Sequence, residues 1–139
     1  MKRLFFVSLA VCLISLSSSA SEKNVPSVLK SFYKTFHNAQ NVNWTEVDNM
    51  VRIGFILNGR SQYAYYDNEE LVVIATEIKT DELPKTLQDQ LTDYKGVVTQ
   101  VYEMNKNNEK EYCVVLDNSS KHIVLKGKTK LSVYLEEKK

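Results

Sequence analysis

Beyond residue 20, the side chains best suited to nucleophilic or metal chemistry are His37, Cys113 and His122, and they lie far apart in sequence. A zinc or nucleophile site needs His, Cys or carboxylate groups clustered at ligand or relay spacing. No HExxH, CxxC or GxSxG run occurs, and four scattered glycines build no phosphate-cradling loop. Strand alternation allows Cys113 and His122 to share a face, but no third group is in place to orient the imidazole. A buried, inert thiol is the simpler reading of Cys113. These residues point away from an enzyme, and nothing in them requires a cofactor.

Oxygen ligands offer one alternative. The stretch "YYDNEE" sets Asp67, Asn68, Glu69 and Glu70 on one turn, and oxygen-rich turns bind Ca²⁺. The twelve-residue calcium loop with glycine at its sixth position is absent. A solvated turn is therefore the simpler reading, and a calcium-responsive sensor is the alternative. Asn43-Trp44-Thr45 and Asn118-Ser119-Ser120 match the N-glycosylation sequon, although the strand position expected for Asn43 argues against modification.

The remaining chemistry is aromatic. "YAYYD", residues 63–67, places three tyrosines in five positions. Tyrosine and arginine are enriched at interface hot spots because they bury large area and keep a polar handle. Whether these rings bind or merely pack depends on the elements that carry them.

Residues 25–39 read as an amphipathic helix, with Pro26 in its first turn and Val25, Leu29, Phe32 and Phe36 at helical spacing. Four strand-like runs follow, "VNWTEV", "MVRIGFIL", "RSQYAYY" and "LVVIATEI", punctuated by "DN", "NG" and "DNEE". A second helix is expected from Asp81, with Leu83, Leu87 and Leu91 as its stripe. Four more runs succeed it: "VVTQVYEM", "EYCVVL", "KHIVLK" and "LSVYLE". The expected architecture is therefore α+β. Two helix-plus-four-strand repeats, about 25–79 and 80–137, form an antiparallel sheet with helices packed on one face and the other face open.

Two-residue turns at Asn58-Gly59 and Asp48-Asn49 pair Leu57 with Arg60, Ile53 with Ala64, Val51 with Tyr66, Trp44 with Ile53 and Val42 with Phe55. Cross-strand partners share a face. The helix side then takes Tyr66, and pairing Tyr66 with Leu71 adds Leu71, Val73 and Ala75. The opposite side takes Arg52, Gly54, Ile56, Tyr63, Tyr65, Val72 and Ile74, with Tyr63 covering Gly54. That side is too apolar to be fully solvated, so it meets the second repeat, a second chain or a partner. The second repeat places Tyr112, Val114, Leu116, Ile123, Leu125, Leu131, Val133 and Leu135 on the helix side. Cys113, Val115, His122, Val124 and Tyr134 fall opposite. Arg52, Tyr63, Tyr65 and Tyr134 are accordingly the candidate partner-binding residues.

The first twenty residues, "MKRLFFVSLAVCLISLSSSA", have a basic start, an apolar run and a small-residue end, the layout of a secretory signal. The run is short for a membrane span. Cleavage after Ala20 leaves residues 21–139 as one domain, with 16 basic and 17 acidic residues. That balance attracts neither nucleic acid nor an anionic membrane. Only Cys113 then remains, so no internal disulfide forms.

The stretch "FHNAQNVNWTEVDNMVRIGFILNGRSQYAYYDNEELV", residues 36–72, is similar to the PepSY-like proteins exported by Bacteroidetes-type bacteria. Their repeat runs F-P-N-A-x-N-V-x-W, a strand, an N-G turn and A-Y-Y-D. Phe36, Asn38, Ala39, Asn41, Val42, Trp44, Asn58, Gly59, Ala64, Tyr65, Tyr66 and Asp67 match, with His37 where proline is frequent. "DELPKTLQDQL" resembles the opening of the family's second repeat, although the later Trp and Tyr signatures are lost. The resemblance implies export to the periplasm or exterior of a Gram-negative cell, and a fold like that of β-lactamase-inhibitor protein. It does not carry β-lactamase inhibition with it. The partner expected on the face bearing Arg52, Tyr63, Tyr65 and Tyr134 is a periplasmic or cell-envelope protein or peptide.

Overall fold

The computed structural model describes residues 25–139; the signal-like segment 1–20 lies outside the described residues. Helix α1 (Val25–Thr35) opens on Pro26, whose fixed φ suits a first turn, and buries Val28 and Phe32. The strands follow as β1 (Gln40–Val47), β2 (Met50–Leu57), β3 (Arg60–Asp67) and β4 (Glu70–Ile78). A 3₁₀ turn (Thr80–Glu82) and helix α2 (Lys85–Leu91) lead into β5 (Val97–Lys106), β6 (Glu109–Asp117), β7 (Lys121–Gly127) and β8 (Ser132–Lys138).

Asparagine writes most of the turns. Asp48 and Asn49, Asn58 and Gly59, and Asn107 and Asn108 all take positive φ in adjacent pairs. Left-handed residues at both central positions give a turn whose twist matches the flanking strands, and Asn, Asp and Gly tolerate that conformation best.

The tertiary arrangement corrects the two-repeat α+β expectation. All eight strands form one antiparallel sheet in chain order, β1 to β8, and β4 is hydrogen-bonded to β5 across the supposed repeat boundary. Among the described residues, helix is confined to elements of 11 and 7 residues beside the short 3₁₀ turn. The molecule is thus mostly sheet, not two helix-plus-four-strand units with helices packed on one face and an open face behind. Pro84 explains much of this. Its extended backbone (ψ 141°) divides the expected second helix, leaving one tight turn before it and two α-turns after it.

The face expected to be open also carries apolar packing. Tyr65, Val73, Ala75, Tyr102, Cys113 and Val124 form a buried cluster there, joined at its margin by Tyr63, Val72, Tyr134 and Leu135. Two other clusters lie across the sheet. Val28, Phe32 and Phe36 meet Val51, Ile53, Phe55, Ala64 and Tyr66; Leu83 and Leu87 meet Val101, Val114, Leu116 and Leu125. Phe32 sets its edge against Phe55 with centroids 4.9 Å apart, a favourable aromatic geometry.

Hairpin register between β2 and β3 follows the turn arithmetic, with Leu57 opposite Arg60, Ile53 opposite Ala64 and Val51 opposite Tyr66. Two bulges alter what lies beyond. In β4, Tyr66 pairs with Leu71 but Tyr65 pairs with Val73, so one extra residue, Val72, is accommodated. Val73 and Ala75 thereby join the Tyr65 face, and Ile74 joins the Tyr66 face, the reverse of the expected assignment. In β1 the register shifts between Gln40 and Asn43, and the expected Val42–Phe55 pair does not form. At the far edge a shift between Val124 and Leu125 sends Leu135 to the Cys113 face and leaves Val133 47% exposed.

Candidate functional site

Arg52 on β2 and Tyr63 on β3 share the face opposite α1, because alternation sets Arg52 beside Tyr65 and Gly54 beside Tyr63. The Arg52 guanidinium lies 5.0 Å from the centre of the Tyr63 ring. Tyr63 continues to Tyr102 of β5, 6.1 Å away between centroids. Four strands from Tyr63, Lys126 of β7 lies 5.0 Å from the ring centre of Tyr134 on β8 and 3.6 Å from Glu111. Each cation is drawn to the electron-rich face of its ring, and each stack holds a flexible side chain in place.

Burial decides how these residues are presented. Arg52 is 7% exposed and Tyr65 is fully buried, whereas Tyr63 and Tyr134 are half-buried. Burial pushes the Tyr63 phenol above its ordinary value, against a smaller opposing pull from Arg52. Tyr102 is raised further, again chiefly by burial. These phenols therefore stay protonated at neutral pH, as hydrogen-bonding groups and not as nucleophiles.

The remaining candidates are placed apart. Asp67 and Glu70 close the β3–β4 hairpin, with Asn68 and Glu69 exposed at its tip. Among the described residues, no group of three or more His, Cys, Asp or Glu side chains converges as a metal-ligand set. Cys113 is buried and in no disulfide, and it pairs with Lys126 across β6–β7, whereas His122 pairs with Asp117. Four residues of strand separate the two, about 13 Å, so they form no thiol–imidazole relay. His122 Nδ1 instead lies 3.0 Å from Asp117 Oδ1, which Lys139 Nζ approaches to 2.9 Å. The Lys139 hydrogen bond is the main reason the Asp117 carboxyl sits below its ordinary value.

Sequence reasoning missed Tyr102 and Lys126 as members of this face. Tyr102 pairs with Cys113 and Cys113 with Lys126, so the face assigned to Cys113 already contained both. The signal was present once the β5–β6 register was known.

An eight-stranded antiparallel sheet in simple meander order, with short helices, defines the class of fold. Solved structures share that fold. A DUF2874 family protein from Bacteroides uniformis matches with TM-score 0.68 and 16% identity over 81% of this chain and 87% of its own. A presumptive periplasmic protein from Bacteroides eggerthii matches with TM-score 0.70 and 16% identity, over 87% and 90%. A BLIP-like protein from Bacteroides fragilis matches with TM-score 0.61 and 17% identity, over 88% of each chain. At such identities the likeness is one of fold. No protein-family model and no curated protein matches the sequence. Among the described residues, no helix is long and apolar enough to cross a membrane.

Proposed function

We propose that this protein is an exported, non-enzymatic binding or inhibitory module that receives a cell-envelope protein or peptide on the face bearing Arg52, Tyr63 and Tyr134. The observation that carries this reading is the pair of cation–aromatic stacks, each at 5.0 Å, on half-buried rings. Rings held in place lose little freedom on binding, and desolvated Tyr and Arg contacts supply most of the affinity at many interfaces. Tyr65, beside Tyr63 on the same face of β3, is fully buried and is left out of the contact set.

Export is supported by the secretory layout of residues 1–20 and by the periplasmic description of the Bacteroides eggerthii neighbour. The resemblance of residues 36–72 to PepSY-like exported proteins agrees with it. The test is affinity capture from periplasmic extract with the wild type and a Tyr63→Ala/Tyr134→Ala variant in parallel, followed by calorimetry on the purified partner. A hot-spot role weakens binding by about 2 kcal/mol or more while the far-UV spectrum stays unchanged. Equal binding by the two proteins would return these rings to packing.

A further inference from the structure

Three clefts differ in how their polar groups are engaged. Beside the β5–β6 hairpin, a cleft of about 380 Å³ has Lys128 closed on Glu109 at 2.9 Å. At the β2–β3 turn, a cleft of about 430 Å³ is spanned by Arg60 and Glu82, which meet through two hydrogen bonds of 3.2 and 2.7 Å. In both, charged side chains already answer one another.

The third cleft, about 200 Å³, lies where β1, β2 and β3 meet and is lined by Asn41, Asn43, Gly54, Ser61, Gln62 and Tyr63. Carboxamides, a hydroxyl and a phenol supply both donors and acceptors, and none of them is charged at neutral pH. We propose that this cleft binds an uncharged, hydroxyl-rich ligand, a single sugar ring.

The cleft has the marks of a built site. Gly54 makes it possible: a Cβ there would lie 3.1 Å from Asn43 Oδ1 and 3.2 Å from Tyr63 Cε1, tighter than side chains ordinarily pack. The shift in β1 register between Gln40 and Asn43, with Asn41 at φ 52°, sets both asparagines at the cleft. Bulges often re-aim side chains beside functional sites. Asn43 Nδ2 reaches Asn41 O at 3.4 Å, a long bond that a ligand hydroxyl can replace. The volume holds one ring and no more, and the ring edge of Tyr63 gives the ligand an apolar wall. None of the lining side chains carries a charge to pair with an anion. This proposal does not depend on the partner-binding reading, since it concerns a small ligand at the β1 edge of the sheet.

The test is an amide-resolved NMR titration of the protein with glucose, N-acetylglucosamine and, as the charged control, glucuronate. Saturable shifts at Asn43, Gly54 and Ser61 with a neutral sugar are expected. Asn43→Ala should weaken them about tenfold, the loss of one hydrogen bond to the ligand, and Gly54→Ala should abolish them. Asn43 is exposed on an edge strand, so its substitution reads binding even if Gly54→Ala disturbs the fold. Absence of saturable shifts with both neutral sugars overturns the proposal. So does undiminished binding by Asn43→Ala, or tighter binding of glucuronate.

Discussion

Tyr66 is 2% exposed beneath α1, and burial pushes its phenol up to about 12 from an ordinary 10.0. The fold therefore favours the protonated ring. Its contribution is fully present below pH 10 and is lost as pH rises through 12, because only the unfolded chain releases the proton in that window. Denaturant midpoints measured from pH 9 upward should fall across it, and Tyr66→Phe should make the fall shallower, leaving the part that Tyr63 and Tyr102 contribute. Glu82 titrates with the opposite sign. The Arg60 hydrogen bond holds its carboxyl below the ordinary 4.5, so that stabilisation is present above pH 4.5 and lost on acidification. Arg60→Ala should reduce the acid-side slope of the melting temperature and leave the alkaline side unchanged. Tyr66 could be assigned to the core from sequence, because turn arithmetic alone sets it opposite Val51. Arg60 and Glu82 could not be paired, since 22 residues separate them and the 3₁₀ turn that brings them together has no periodicity to read.

Hairpins and bulges govern the elements. A Cβ on Gly127 would overlap the carbonyl of Lys130, so β7 can enter its turn only with glycine at that place. Gly127→Ala should cost about 1–3 kcal/mol by forcing the turn outward. Gly59→Ala, with φ +79° but open space around it, should cost about 1 kcal/mol from backbone strain alone. Urea denaturation of the two variants separates overlap from strain, and equal losses would count against the distinction. Strand positions were largely legible because period-two alternation is strong and Asn-Gly and Asp-Asn punctuate it. The bulge at Val72 was not. A single extra residue leaves the composition of β4 unchanged yet exchanges the faces of Val73, Ile74 and Ala75.

At the scale of the whole molecule, the decisive contact is β4 with β5. Ile74 to Ile78 pair with Val101 to Asn105, which makes one continuous sheet across the middle of the chain. Such a sheet is expected to unfold as one cooperative unit. Leu87→Ala, which empties a fully buried position on the sheet-facing side of α2, should cost about 2–5 kcal/mol. The same substitution should shift the unfolding of β1, reported by Trp44 fluorescence, together with the far-UV signal of the entire sheet. Separate transitions would mean that the two halves are energetically independent.

The sequence by itself determined the strands, most turns and the face of nearly every residue in β2 and β3, because local alternation and turn chemistry act over a few residues. It also located Arg52, Tyr63 and Tyr134 on one side. Only the tertiary structure decided that the halves merge into a single eight-stranded sheet, that Tyr65 on that side is fully buried, and that Asn43, Gly54 and Tyr63 converge into a cleft. Those outcomes depend on bulges and on long-range strand pairing. Both are settled by packing between residues distant in the chain, where no local pattern carries the information.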